Sequence, residues 1–124
     1  MTTRPRVLLV DDHPGIVQAL SRVLAPACDV VGTIADGREA ADAAARLQPV
    51  VIVVDLNLPN VSGLEGCRRI LQTNPRAKVI LITSMSDETI KAEALAAGAS
   101  ACLSKLAAGN ELVVSIRRAW ADAT

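Results

Sequence analysis

The sequence predicts a doubly wound α/β sandwich, a five-stranded parallel sheet with helices on both faces. Three observations predict it. Apolar, β-branched runs at RVLLV (6–10), VVIVV (50–54) and KVILI (78–82) are each too short for a helix, so they read as strands buried on both faces. Between the runs the apolar period changes from continuous to 3.6, so strand and helix alternate along the chain. Charged or hydroxylic residues follow four of the strands: Asp11 and Asp12, Asp55, Thr83 and Ser84, and Lys105. In an open parallel sheet those positions share one rim.

Taken in order, RVLLV is the first strand, and Ile16, Leu20, Val23 and Leu24 line one face of a first helix that ends near Pro26. CDVVGTI (28–34) has strand character broken by polar residues, as expected of an edge. Ala40, Ala44 and Leu47 line a second helix that stops before Pro49, ahead of the third strand. Leu64, Cys67, Ile70 and Leu71 mark a third helix, ending before Pro75 and the fourth strand. An Ala-rich fourth helix over about 87–97 is closed by Gly98, a residue suited to a helix C-terminus. SACLSK (100–105) is the second candidate edge strand, and a fifth helix carries Leu112, Val113, Ile116 and Trp120 on one stripe. With the polar strands at the edges the order is 2-1-3-4-5, the flavodoxin-like winding, whose ligands bind at the strand carboxyl ends near the switch between strands 1 and 3.

The 124 residues are expected to form one domain over 1–124, 51% hydrophobic and 21% charged, which disfavours disorder. Thirteen basic residues balance thirteen acidic ones, so no net field draws the molecule to nucleic acid or lipid. With one Trp and no Phe or Tyr, the stacking platforms of single-stranded nucleic-acid binders are missing too. No apolar run is long enough to span a membrane, and MTTRPR leads straight into a strand, so a cytoplasmic chain with no membrane partner is expected. Cys28, Cys67 and Cys102 are odd in number and unpaired by spacing, and read as reduced structural thiols.

Carboxylates crowded on one rim repel one another unless a cation shares the site, and a hard, oxygen-seeking ion such as Mg²⁺ fits best. The Lys105 ammonium and the Thr83 hydroxyl add donors for an anion, so the combination suits a phosphoryl group. Taken singly, Asp11–Asp12 reads equally as a strand-end turn and helix N-cap, Thr83 as a helix cap and Lys105 as a solvated lysine. A structural Asp55 is harder to sustain, because an unpaired carboxylate beside a buried strand costs several kcal/mol.

VDDHP at 10–14, VVDLNLPNVSG at 53–63, ITS at 82–84 and GASACLSK at 98–105 resemble a bacterial two-component response-regulator receiver domain of CheY-like fold, over nearly the whole chain. DDHP and the ELVVSIRRAW ending are most similar to the subgroup joined to a LuxR/NarL-type helix-turn-helix domain. The resemblance implies that Asp55 takes a phosphoryl group from a histidine kinase, and that Mg²⁺ is held by Asp11, Asp12, Asp55 and the carbonyl of Asn57. It implies also that Thr83 and Lys105 contact the phosphoryl oxygens. Such a protein phosphorylates itself without being a turnover enzyme, and serves transcription control through a surface of helix 4, strand 5 and helix 5, where a homodimer can form. DNA contact would need a separate helix-turn-helix domain, which these 124 residues do not include.

The departures from the family pattern are specific. Cys102 stands where receivers usually carry an aromatic switch residue, and Leu106 where Pro commonly follows the lysine. Asn57 and Met85 flank the route of attacking water and are expected to tune phosphoryl lifetime. His13 is expected to point along the helix start rather than to the metal, since Mg²⁺ prefers oxygen. Trp120 is expected to pack, and Arg68–Arg69, Arg117–Arg118 and Lys91 to face solvent. Two rivals remain: a receiver fold that binds partners independently of phosphate, favoured by Cys102, and a phosphatase of the haloacid-dehalogenase type. The second needs an Asp where this chain has Asn57.

Overall fold

The computed structural model describes residues 4–85, 87–105 and 108–123. Five strands, β1 (Arg6–Val10), β2 (Asp29–Ile34), β3 (Val51–Asp55), β4 (Lys78–Thr83) and β5 (Ala101–Ser104), form one parallel sheet in the order β2-β1-β3-β4-β5. Five helices, α1 (Pro14–Leu24), α2 (Ala40–Leu47), α3 (Gly63–Thr73), α4 (Glu88–Ala96) and α5 (Ala108–Ala123), alternate with them, and a 3-10 turn at Gly37–Glu39 leads into α2. The predicted winding is the one observed. Among the described residues no helix is long and apolar enough to cross a membrane.

Alternation along each central strand divides the core into two layers. Val7, Leu9, Val51, Val53, Ile80 and Ile82 face α1 and α5, packing on Leu20, Leu24, Leu112, Ile116 and Ala119. Leu8, Val10, Ile52, Val54, Val79 and Leu81 face the other way, onto Ala40, Ala44, Cys67, Ile70 and Ala94. Burial on both sides is why these runs lack a polar alternate, and why β2 and β5, which are less enclosed, have room for Thr33 and Ser104.

Two expectations about packing need correction. Val23 is 41% exposed: the α1 stripe is the narrow i, i+4, i+8 series Ile16, Leu20 and Leu24, and Val23 falls on its flank. On α5 the last buried member is Ala119, one residue before the half-buried Trp120. Gly98 ends α4 at φ +100°, and a Cβ there would lie 2.6 Å from Leu71 Cδ1, so backbone and packing both demand glycine. The three cysteines are buried and free, and burial pushes the Cys67 thiol up to about 11 and raises that of Cys102. Leu106 lies outside the described residues.

Candidate functional site

The carboxyl ends of β1, β3 and β5 bring Asp11, Asp55 and Lys105 together. Asp55 is wholly buried and Asp11 nearly so, while Asp12 and Asn57 reach solvent. Lys105 Nζ donates to Asp55 Oδ2 at 3.0 Å and lies 3.1 Å from Asp11 Oδ2. Burial works against the Lys105 charge, yet its bonds to Asp55 and Asp11 outweigh that and raise its pKa above the ordinary lysine value. The ammonium is thus fixed as a cation between two buried carboxylates.

The β3–α3 loop is shaped around Asp55. Asn57 N donates to Asp55 Oδ1 at 3.1 Å, fixing one carboxylate oxygen against the loop backbone. Gly63 opens α3 against the back of the nucleophile candidate: a Cβ on it would sit 2.3 Å from the Asp55 carbonyl oxygen. Ser62 caps that helix by accepting from Glu65 N. The outer end of the loop turns at Asn60, φ +68°, whose Nδ2 donates to Asp36 Oδ2 at 2.9 Å. Short polar side chains such as Asn tolerate that left-handed conformation.

Thr83 is buried at the end of β4, but its hydroxyl is engaged locally: Oγ1 donates to Met85 O at 2.9 Å and accepts from Met85 N at 3.1 Å. It therefore closes the turn after β4. Nor does it cap α4, whose N-cap is Asp87, accepting from Ile90 N at 2.8 Å. A cavity of about 330 Å³ opens over the site, lined by His13, Ile16, Asp55, Asn57, Ser84 and Lys105.

His13 departs from expectation. It occupies the N-cap position of α1 without making a side-chain cap, and its ring turns to the acidic group. Nδ1 lies 2.8 Å from Asp11 Oδ1, 3.2 Å from Asp12 Oδ1 and 3.4 Å from Asp55 Oδ2. The bond to Asp11, with Asp12 adding to it and Lys105 opposing it, raises the His13 pKa above the usual 6.5. Sequence reasoning treated the side chain as a bystander. The usable signal was the acidic pair beside it, Asp11 and Asp12, to which a ring free of any capping bond can turn.

The donor set fits a divalent cation. One donor atom from each of Asp11, Asp12, His13 and Asp55 lies within 4.8 Å of the others. Asp11 Oδ2 is buried and accepts no hydrogen bond, its ion pair with Lys105 aside. A buried carboxylate oxygen held only by an ammonium is one that a metal ion could take over.

A second, larger cavity of about 490 Å³ lies away from these carboxylates, between α4, β5 and α5, lined by Lys91, Cys102, Leu103, Val114 and Arg118 among others. Cys102, buried at its floor, contributes only a small thiol where an aromatic ring is usual in the pattern that the sequence resembles. Lys91, Arg68, Arg69, Arg117 and Arg118 are exposed, as expected of solvated cations.

This parallel fold, with carboxylates and a lysine at the strand ends, belongs to the response regulator receiver domain family, whose pattern matches residues 7–117. The chain is 36% identical over 118 residues to the response regulator GacA of Pseudomonas protegens, covering 94% of this chain and 55% of that protein. A LuxR-family two-component response regulator from Aurantimonas superposes with a TM-score of 0.90 at 32% identity, covering 96% of this chain and 86% of the other. The signal receiver domain of NarL from Mycobacterium tuberculosis also gives 0.90, at 25% identity, covering 97% and 98%. The chain spans about half the length of the curated relatives it matches.

Proposed function

We propose that Asp55 is the phosphoacceptor of a two-component pathway, taking its phosphoryl group from a histidine kinase. The observation that carries this reading is the wholly buried Asp55 carboxylate, paired with Lys105 and opening onto a cavity large enough for a phosphoryl group. In the transfer, an Asp55 carboxylate oxygen attacks phosphorus, an O–P bond forms, and the P–N bond of the donor phosphohistidine breaks with its electron pair returning to the imidazole. Lys105 neutralises charge on the phosphoryl oxygens, and the bond from Asn57 N orients the attacking carboxylate. Mg²⁺ held by Asp11, Asp12, Asp55 and the Asn57 carbonyl would offset the repulsion between carboxylate and phosphate. Thr83 has to give up its bonds with Met85 before its hydroxyl can reach a phosphoryl oxygen.

Residues 1–124 act as one receiver unit that signals by protein contacts, with transcription control as its output, a reading supported by relatives such as the transcriptional regulatory protein DegU of Brevibacillus brevis; contact with DNA would need a separate helix-turn-helix domain. Output runs through the face of α4, β5 and α5, where exposed Val114 lines the larger cavity, and self-association on phosphorylation uses that face. Cys102 favours one alternative, a receiver fold whose contacts are independent of phosphate. Incubation with acetyl phosphate and Mg²⁺, read by intact mass, separates the two. The native chain is expected to gain a phosphate adduct and Asp55→Asn to gain none. An undiminished adduct in that variant removes Asp55 from its role, and a native chain that takes up no phosphate favours the alternative.

A further inference from the structure

The acidic site holds one donor that is not oxygen. We propose that His13 Nδ1 is a fourth side-chain ligand of the cation site, so that the site binds later first-row ions such as Co²⁺ through one nitrogen as well as carboxylate oxygens. This rests on the reading of Asp11, Asp12 and Asp55 as a metal site and adds a ligand and an ion class to it.

Three observations support the assignment. First, Nδ1 stands 2.8, 3.2 and 3.4 Å from oxygens of Asp11, Asp12 and Asp55. Adjacent ligands on one ion, with bonds of about 2.1 Å at right angles, lie about 3 Å apart, so all three separations match neighbours in one coordination sphere. Second, the buried Asp11 Oδ2 has the Lys105 ammonium at 3.1 Å and no hydrogen bond besides, so what that oxygen holds is already a cation. Third, the ring is held in place before any ion arrives. Pro14 keeps His13 extended, His13 N donates to Asp11 Oδ1 at 2.9 Å, and the ring spends no hydrogen bond on the helix. Lys105 Nζ lies 3.4 Å from Nδ1 and 3.0 Å from Asp55 Oδ2, a counter-cation among the same donors. An entering ion replaces that ammonium and takes the Nδ1 lone pair once its proton is gone. Mg²⁺ gains little from a nitrogen ligand, whereas imidazole suits the later first-row ions.

His13 is the only histidine in the chain, so a histidine-nitrogen signal at a bound ion has a single source. The test is pulsed electron paramagnetic resonance of Co²⁺ bound to the whole chain, with natural and ¹⁵N-histidine labelling, beside calorimetric titrations with Co²⁺ and Mg²⁺. A nitrogen coupling that changes with the label and vanishes in His13→Gln is expected. Co²⁺ affinity should fall about tenfold in that variant, the scale on which metal sites respond to loss of a supporting group. Mg²⁺ affinity should stay nearly constant. The exposed position of His13 makes loss of the fold improbable, and circular dichroism checks it. Bound Co²⁺ without nitrogen coupling, or an unchanged Co²⁺ affinity in His13→Gln, overturns the proposal alone, provided that Asp12→Ala still weakens Mg²⁺ binding. If no divalent ion binds the native chain, or binding ignores Asp12→Ala, the metal reading of the acidic group falls and the proposal with it.

Discussion

Replacing Lys105 by Met leaves two buried carboxylates without their buried counter-ion. The Lys105 side chain is 11% exposed, and those of Asp55 and Asp11 are 1% and 2% exposed, so solvent screens the ion pairs little. His13 stays nearby, but at 54% exposed it is a weaker counter-charge. Removing one partner of a buried pair costs roughly 3–5 kcal/mol. A ceiling comes from protonation, because a stranded carboxylate can take up a proton instead, which for an ordinary carboxyl costs about 4 kcal/mol at pH 7. Lys105→Met should therefore lose about 3–4 kcal/mol at pH 7 in a chelator. At pH 5 the same ceiling is about 1.5 kcal/mol, so the loss should shrink accordingly. The sign follows from linkage: the folded variant takes up a proton that the unfolded chain does not, so its stability falls as pH rises. With the ammonium gone, a divalent cation meets no competitor, so added Mg²⁺ should restore more stability to the variant than it adds to the native chain. Urea titration read by the fluorescence of the single Trp120 measures all three quantities. A loss below about 1 kcal/mol at pH 7, or one that is equal at pH 5 and 7, would refute the ion-pair argument built on buried-pair energetics.

Gly63→Ala should destabilise by about 1–3 kcal/mol and slow modification by acetyl phosphate, because the added Cβ meets the Asp55 carbonyl oxygen and Leu56 Cα, neither of which can rotate away. Gly15→Ala on α1, with nothing within 4 Å, is the control and should stabilise by up to about 1 kcal/mol; equal effects of the two would contradict the packing argument. In a chelator, the His13 ring should titrate above its ordinary 6.5 by proton resonance, since Asp11 holds the protonated form. Its contribution to stability is then present in full below 6.5 and disappears as pH rises through the folded-state value, and Asp11→Asn should lower the midpoint. A midpoint unmoved by Asp11→Asn would show that the contact does not persist in solution.

What was legible in the sequence follows from how locally each feature is encoded. Strands buried on both faces announce themselves as unbroken β-branched runs, and edge strands by their polar residues, so the order of the sheet could be read before any contact was known. The strand-end positions of Asp11, Asp55 and Lys105 then follow from parallel topology alone, and these are the residues that meet. Side-chain direction is encoded less locally. The position of Thr83 at the end of β4 was legible, but the two bonds its hydroxyl makes with the Met85 backbone were not. Val23 fits the α1 period as well as Leu20 does, yet the face that the sheet covers is narrower than the apolar stripe. The Asp36–Asn60 bond joins residues 24 positions apart, beyond the reach of any periodicity. His13 was misread for a different reason. A chemical preference of the expected ion was applied to the ligand before asking what surrounds its ring. Ser62 and Asp87 are N-caps with extended backbone and do cap their helices, so the extended backbone that Pro14 imposes on His13 allows either outcome, and the acidic neighbours decide where the ring goes. Three carboxylate oxygens within 3.4 Å of Nδ1 offer the imidazole more than a capping bond would, and that local charge is what puts a nitrogen donor beside an otherwise all-oxygen group.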